Sequence, residues 1–146
     1  DIYYDTPADR ADKARARGDK VLFRWAGWEC LPYAQDQRTR SIEYCWAARG
    51  DSGKLAIQNL AGQPVTGRVH LVMAVAAPSG PLDVFIRHPR TTPRHFKMSA
   101  GNFQTLETED LEIPPGGSTL EVGAAAGARA AAVQALLMLG ARFVPN

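Results

Sequence analysis

The stretch Val69-His-Leu-Val-Met-Ala-Val-Ala76 decides the fold. Val69, Leu71, Met73 and Val75 recur with a period of two, which in an extended strand puts them on one face. The alternate positions, His70, Val72, Ala74 and Ala76, are also fairly apolar, so this strand is central or covered on both sides. Outward from it, short apolar runs are separated by clusters of Gly, Pro, Asn, Asp and Ser, the punctuation of an all-β domain. Strands are predicted over Val21 to Trp28, Ser41 to Trp46, Lys54 to Leu60, Leu82 to Ile86, Phe96 to Gln104, Thr105 to Ile113, Thr119 to Val122 and Val133 to Val144.

The last of these would also serve as a buried helix, since Ala130-Ala-Ala-Val-Gln-Ala-Leu-Leu-Met-Leu139 has helical propensity. Gly140 inside the run, and the need of a sandwich to pair its exposed edge, favour a strand. Pro114-Pro-Gly-Gly117 supplies a tight connection. About eight strands at short spacing predict an antiparallel β-sandwich of Ig-like or jelly-roll type. Residues 1–19 form a charged lead-in whose segment from Pro7 to Arg17 reads as a short helix ended by Gly18. It has no strong apolar stripe and is expected to be solvated. Residues 20–146 form the single sandwich domain.

A chain of 146 residues, 45% of them hydrophobic, can fold without metal or dense disulfides. Seventeen basic and 15 acidic residues give a formal charge of +2, too balanced for a protein that neutralises a nucleic-acid backbone. No apolar run reaches the roughly eighteen residues of a membrane helix. There is no initiator methionine or signal pattern, so the chain is expected to be a processed product or a fragment of a longer protein.

Both cysteines and all three tryptophans fall between Trp25 and Trp46. Closing Cys30 to Cys45 would stabilise by about 3 kcal/mol and imply a periplasmic or extracellular location. The alternative is a pair of buried free thiols. The aromatics can be core beside that bridge, or a platform on which a sugar face stacks. On the platform reading Trp28, Tyr33 and Trp46 stack, and Glu29, Asp36 and Arg38 supply polar edges. By alternation Trp25 and Trp28 should face opposite sides.

Arg87-His-Pro-Arg-Thr-Thr-Pro-Arg-His-Phe-Lys97 is a basic loop or edge, and Arg87, Arg90, Arg94 and Lys97 are candidate anion ligands. A solvated loop is the plainer reading. Cations around His88 and His95 argue against zinc, and the acidic residues near the N-terminus lack a calcium-loop spacing, so no metal or other cofactor is expected. Without a Gly-x-Ser-x-Gly or a nucleophile that can be paired with a base, no catalytic residue is assigned.

The order Asp1-Ile-Tyr-Tyr-Asp-Thr-Pro-Ala-Asp-Arg10, then Gly27-Trp-Glu29, Tyr44-Cys-Trp46, Leu55-Ala-Ile-Gln-Asn59, Leu82-Asp-Val-Phe85 and Ile113-Pro-Pro-Gly116, and finally Arg129 before an apolar strand, carries a resemblance. It resembles the C-terminal β-sandwich of periplasmic, membrane-anchored enzymes of the alkaline-phosphatase/sulfatase type, such as phosphoglycerol transferases that decorate glucans. Similar modules follow polytopic glycosyltransferases. Cys30, Cys45 and the Ala-rich Gly123 to Ala132 depart from that pattern, and no functional residue is transferred. The resemblance implies an accessory, non-enzymatic fragment that binds or positions an envelope glycan, or packs against the catalytic domain of its own parent chain. The alternative is a structural or interaction module that docks through its basic loop.

Overall fold

The structure, a computed structural model, describes residues 6–35, 42–48, 52–75, 81–124 and 136–146. One helix, α1 (Pro7–Ala16), precedes eleven strands among these residues: β1 (Val21–Ala26), β2 (Trp28–Gln35), β3 (Ile42–Ala48), β4 (Ser52–Asn59), β5 (Val65–Val75), β6 (Leu82–Arg87), β7 (Arg94–Met98), β8 (Gln104–Glu107), β9 (Leu111–Ile113), β10 (Ser118–Ala124) and β11 (Leu136–Pro145). They form an antiparallel β-sandwich. One sheet runs β1-β4-β10-β6-β7 and the other β2-β3-β11-β5-β8, with β9 continuing the β8 side of β5. Among the described strands the path changes sheet at seven of ten connections, so of the two expected types it follows the jelly roll.

The period-two reading of the opening stretch holds. Val69, Leu71, Met73 and Val75 are buried in the inter-sheet core with Leu55, Ile57, Leu120, Val122, Leu136 and Met138. Truncating a large member of this set to alanine costs about 2–5 kcal/mol. The C-terminal segment is a strand over Leu136–Pro145, but it pairs β5 along its length and β3 at its start, so it lies inside its sheet and closes no edge. A bulge between Met138 and Gly140 leaves Leu139 without a partner across β5 and 44% exposed. Residues 133–135 of the predicted strand lie outside the described residues.

Two sequence expectations are corrected here. Val21 to Trp28 is not one strand: Gly27, at φ 76°, ends β1 and passes the chain to the opposite sheet as β2. That break cancels the alternation between Trp25 and Trp28, whose rings meet edge to face at 5.7 Å and 81°. The helix is not wholly solvated either. Its Ala11 and Ala14 are buried, and the helix packs on β1. Thr6 caps its N-terminus: the Asp9 N–H donates to Thr6 Oγ1 and the Thr6 N–H to Asp9 Oδ2, each at 3.1 Å. Gly18, at φ 85°, then turns the chain into β1.

The disulfide also fails. Cys30 is a free, exposed thiol. β2 and β3 are adjacent as expected, but their register sets Cys30 opposite Trp46 and Leu31 opposite Cys45. The two cysteines are therefore not directly opposite one another across the pair.

Candidate functional site

A cleft of about 420 Å³ opens where the turn after α1, the start of β1 and the end of β11 converge. β1 ends the strand order of its sheet, and β3 reaches only Leu137 and Met138 of β11. Among the described residues, both strands thus border the cleft with an edge that has no partner strand, leaving backbone groups free for a ligand. Phe23 and Phe143 line it; both are half-buried and packed on the inter-sheet core, which fixes their rings. Gly67 opposite Pro145 makes room for this arrangement, since a Cβ there would come within 2.7 Å of Phe143 Cζ and collide with the β11 backbone.

The charged groups of the cleft are Arg17, Asp19, Lys20 and Arg142. Arg17 is engaged by Asp19, at 3.0 Å from Nη2 and 3.3 Å from Nε to Oδ2. Arg142 is exposed, with His70 Nδ1 3.4 Å from its Nη2. Lys20 is exposed, and its carbonyl accepts from the Leu60 N–H at 2.9 Å, which anchors the turn. One carboxylate against three cations leaves the cleft positive, with two aromatic rings beneath. Such a surface accepts the apolar face of a pyranose while donors meet its hydroxyls or an acidic substituent.

Of the six ligand contacts singled out in the sequence, the side chains of Trp28 and Glu29 are described. Trp28 is only 6% exposed, and its Nε1 donates to the Lys54 carbonyl at 3.2 Å, so its indole is part of the core and offers no stacking face. Glu29 is exposed on β2. The side chains of Tyr33 and Trp46, and Asp36 and Arg38 entirely, lie outside the described residues.

The basic segment runs from the end of β6 into β7, adjacent strands of one sheet. Arg87 donates to Glu121 Oε1 at 2.7 Å and lies over the Phe85 ring at 4.9 Å. Arg94 donates to the Glu107 carbonyl of the other sheet at 2.8 Å and lies over Phe96 at 5.2 Å. Arg90 and Lys97 are exposed.

His88, expected in a solvated loop, is buried, with Nε2 2.6 Å from Ser118 Oγ. This is a hydroxyl–imidazole pair that the sequence did not reveal. The Arg90 N–H donates to Nδ1 at 3.4 Å, and the tautomer sets which of Nε2 and Ser118 Oγ is the donor. Burial, and secondarily the charge of Arg90, holds the imidazole pKa below its ordinary value and keeps it neutral. Among the described residues no group of three His, Cys, Asp or Glu could hold a metal, and no helix is long and apolar enough to cross a membrane.

No family model and no curated relative matches the chain. Solved structures are similar to it. The Podospora anserina GH26-CBM35 β-(1,4)-mannanase matches 88% of this chain at a TM-score of 0.54 and 10% identity, and the chain spans 28% of that protein. A Xyl-CBM35 in complex with a glucuronic-acid-containing disaccharide matches 84% of the chain and 92% of its own length, at a TM-score of 0.49 and 12% identity. A β-1,3-glucan-binding CBM6 from Bacillus halodurans matches 84% and 93%, at 0.47 and 11%. At these identities the likeness to the mannanase is one of fold.

The cleft residues were not legible beforehand. Phe23 and Phe143 lie at opposite ends of the sequence, and only the topology that brings β1 beside the end of β11 joins them. The usable signal was local: Arg142 and Phe143 continue the apolar run beyond Gly140 with a cation and an aromatic ring.

Proposed function

We propose that this chain is a non-catalytic carbohydrate-binding module that holds a glycan in the cleft between β1 and β11. The observation that carries the reading is the pairing of two half-buried aromatic rings with Lys20 and Arg142 at the unpartnered edges of a sandwich. Phe23 and Phe143 take the apolar sugar face, while Lys20 and Arg142 favour glycans with acidic substituents. Support of a general kind comes from the fold, shared with a stretch of a protein named a β-(1,4)-mannanase and carrying a CBM35 in its name.

The module acts as an accessory part of a larger envelope enzyme, of the sulfatase or phosphoglycerol-transferase type that the sequence resembles, and works outside the cytoplasm. With Cys30 free, the location rests on that resemblance and on the glycan role, no longer on a disulfide. Docking through the basic segment has no comparable support, since Arg87 and Arg94 are committed to internal partners.

The test is calorimetric titration of the folded chain with β-1,4-mannohexaose and with hexagalacturonate, for the wild type and for Lys20→Ala with Arg142→Ala. Binding of the acidic oligosaccharide, weakened at least tenfold in the double variant with melting unchanged, is expected. Absence of binding to either, or binding indifferent to the double variant, removes the cleft as the site.

A further inference from the structure

A second cavity, of about 380 Å³, lies on the outer side of the sheet formed by β11, β5 and β8. His70, Val72 and Thr105 line it together with Gly140, Ala141 and Arg142. The stretch Ala141–Arg142 is thus a common wall of this cavity and of the cleft. At that stretch β11 has no partner strand on its free side among the described residues, so nothing described there stands between the two cavities except β11 itself.

Their linings differ in character. The cleft offers two rings and net positive charge. The second cavity has a floor kept low by Gly140, Ala141 and Val72 and short polar reach from Thr105 and His70. In register, Gly140, Val72 and Thr105 form one row across the three strands, and Arg142, His70 and Glu107 the next. His70 Nε2 lies 3.1 Å from Glu107 Oε1, which fixes the imidazole as a side wall and leaves the row of small residues open as a channel.

Resting on the carbohydrate reading of the cleft, we infer that the ligand is an internal segment of a polysaccharide, which runs through the cleft, crosses the free edge of β11 at Arg142 and continues along the Gly140–Val72–Thr105 row. A site closed around a chain end would be a single pocket. Two cavities of this size, each within the range of a small-molecule site and meeting at one exposed guanidinium, fit a chain with several consecutive sugar units bound. Arg142 is the shared contact, able to donate to hydroxyls or acidic groups on both sides of the strand.

The experiment measures affinity for oligogalacturonates and β-1,4-mannooligosaccharides of two, four and six units, with the wild type, Thr105→Trp and His70→Ala. Thr105→Trp fills the second cavity on an exposed strand position, and His70→Ala trims its wall, so either variant suffices if the other does not fold. The expected result is an affinity that rises more than tenfold from two units to six in at least one series. Both variants should return the six-unit value to about that of two units and leave two-unit binding intact. Equal affinity for two and six units, or a length dependence that both variants leave unchanged, overturns the inference while the cleft stands as a binding site. No binding in either series overturns the inference and the carbohydrate reading together.

Discussion

Replacing Gly53 by alanine adds one carbon to the inner face of β4, at a point where the Trp28 indole already lies. The new Cβ would collide with Cε2 and Nε1 of the ring, and a carbon of the bicycle cannot swing aside as a flexible chain end does. Seating it drives the indole from its slot. The Nε1–H bond to the Lys54 carbonyl, 3.2 Å long, is then lost, at about 1 kcal/mol net. The edge-to-face contact with Trp25 contributes about 0.5–1.5 kcal/mol more, and the strain of overpacking about 1–3 kcal/mol. The smaller conformational freedom of alanine in the unfolded chain offsets about 0.4–1 kcal/mol.

The net loss is about 3 kcal/mol, a fall of about 6–12 °C in melting temperature for a chain of this size. Urea unfolding followed by tryptophan fluorescence reads it as a shift of midpoint at constant m-value. Gly116→Ala is the control: a Cβ there meets nothing within 4 Å, and stability should stay within about 1 kcal/mol of wild type. A loss below about 1 kcal/mol at Gly53, with native fluorescence intact, would mean that the indole moves freely and that Trp28 is available as a surface ring after all.

Two further outcomes are expected. Burial lowers the His88 pKa below 6.5, so as pH falls through 6.5 the unfolded chain takes up its proton before the folded one does. Stability contributed by the neutral imidazole is therefore full above that pH and lost below it, down to the folded pKa. Urea midpoints at pH 7.5 and 5.5 should fall more steeply for the wild type than for His88→Gln, and identical slopes would refute the assignment. Cys30, free and exposed, should react with a thiol reagent in the native protein, and a reductant should leave the melting temperature unchanged. A native chain with no reactive thiol until it is reduced would restore the bridge.

What the sequence told and withheld follows from the range of the forces involved. Period-two burial is a local property, so the inner face of Val69 to Val75 could be read directly, as could the helix start at Pro7 and its stop at Gly18. The break at Gly27 could not, because an apolar run with one glycine looks continuous until pairing draws its halves to different sheets. The cysteines misled for a related reason. Adjacency of β2 and β3 was legible, whereas the one-residue offset in register that separates Cys30 from Cys45 is set by the whole pairing. The aromatic cluster left core and platform open; Trp28 serves the core, and the rings that line the cleft belong to Phe23 and Phe143, far apart in sequence.

The central claim is that the cleft between β1 and β11 holds a glycan, and amide chemical-shift mapping tests it most directly. The isotopically labelled chain would be titrated with hexagalacturonate and, separately, with β-1,4-mannohexaose. Shifts concentrated at residues 17–23 and 140–145, with the inner strands β4 and β10 unmoved, are the expected result. Shifts centred on Arg87 to Lys97, or no shift with either sugar at millimolar concentration, would contradict it.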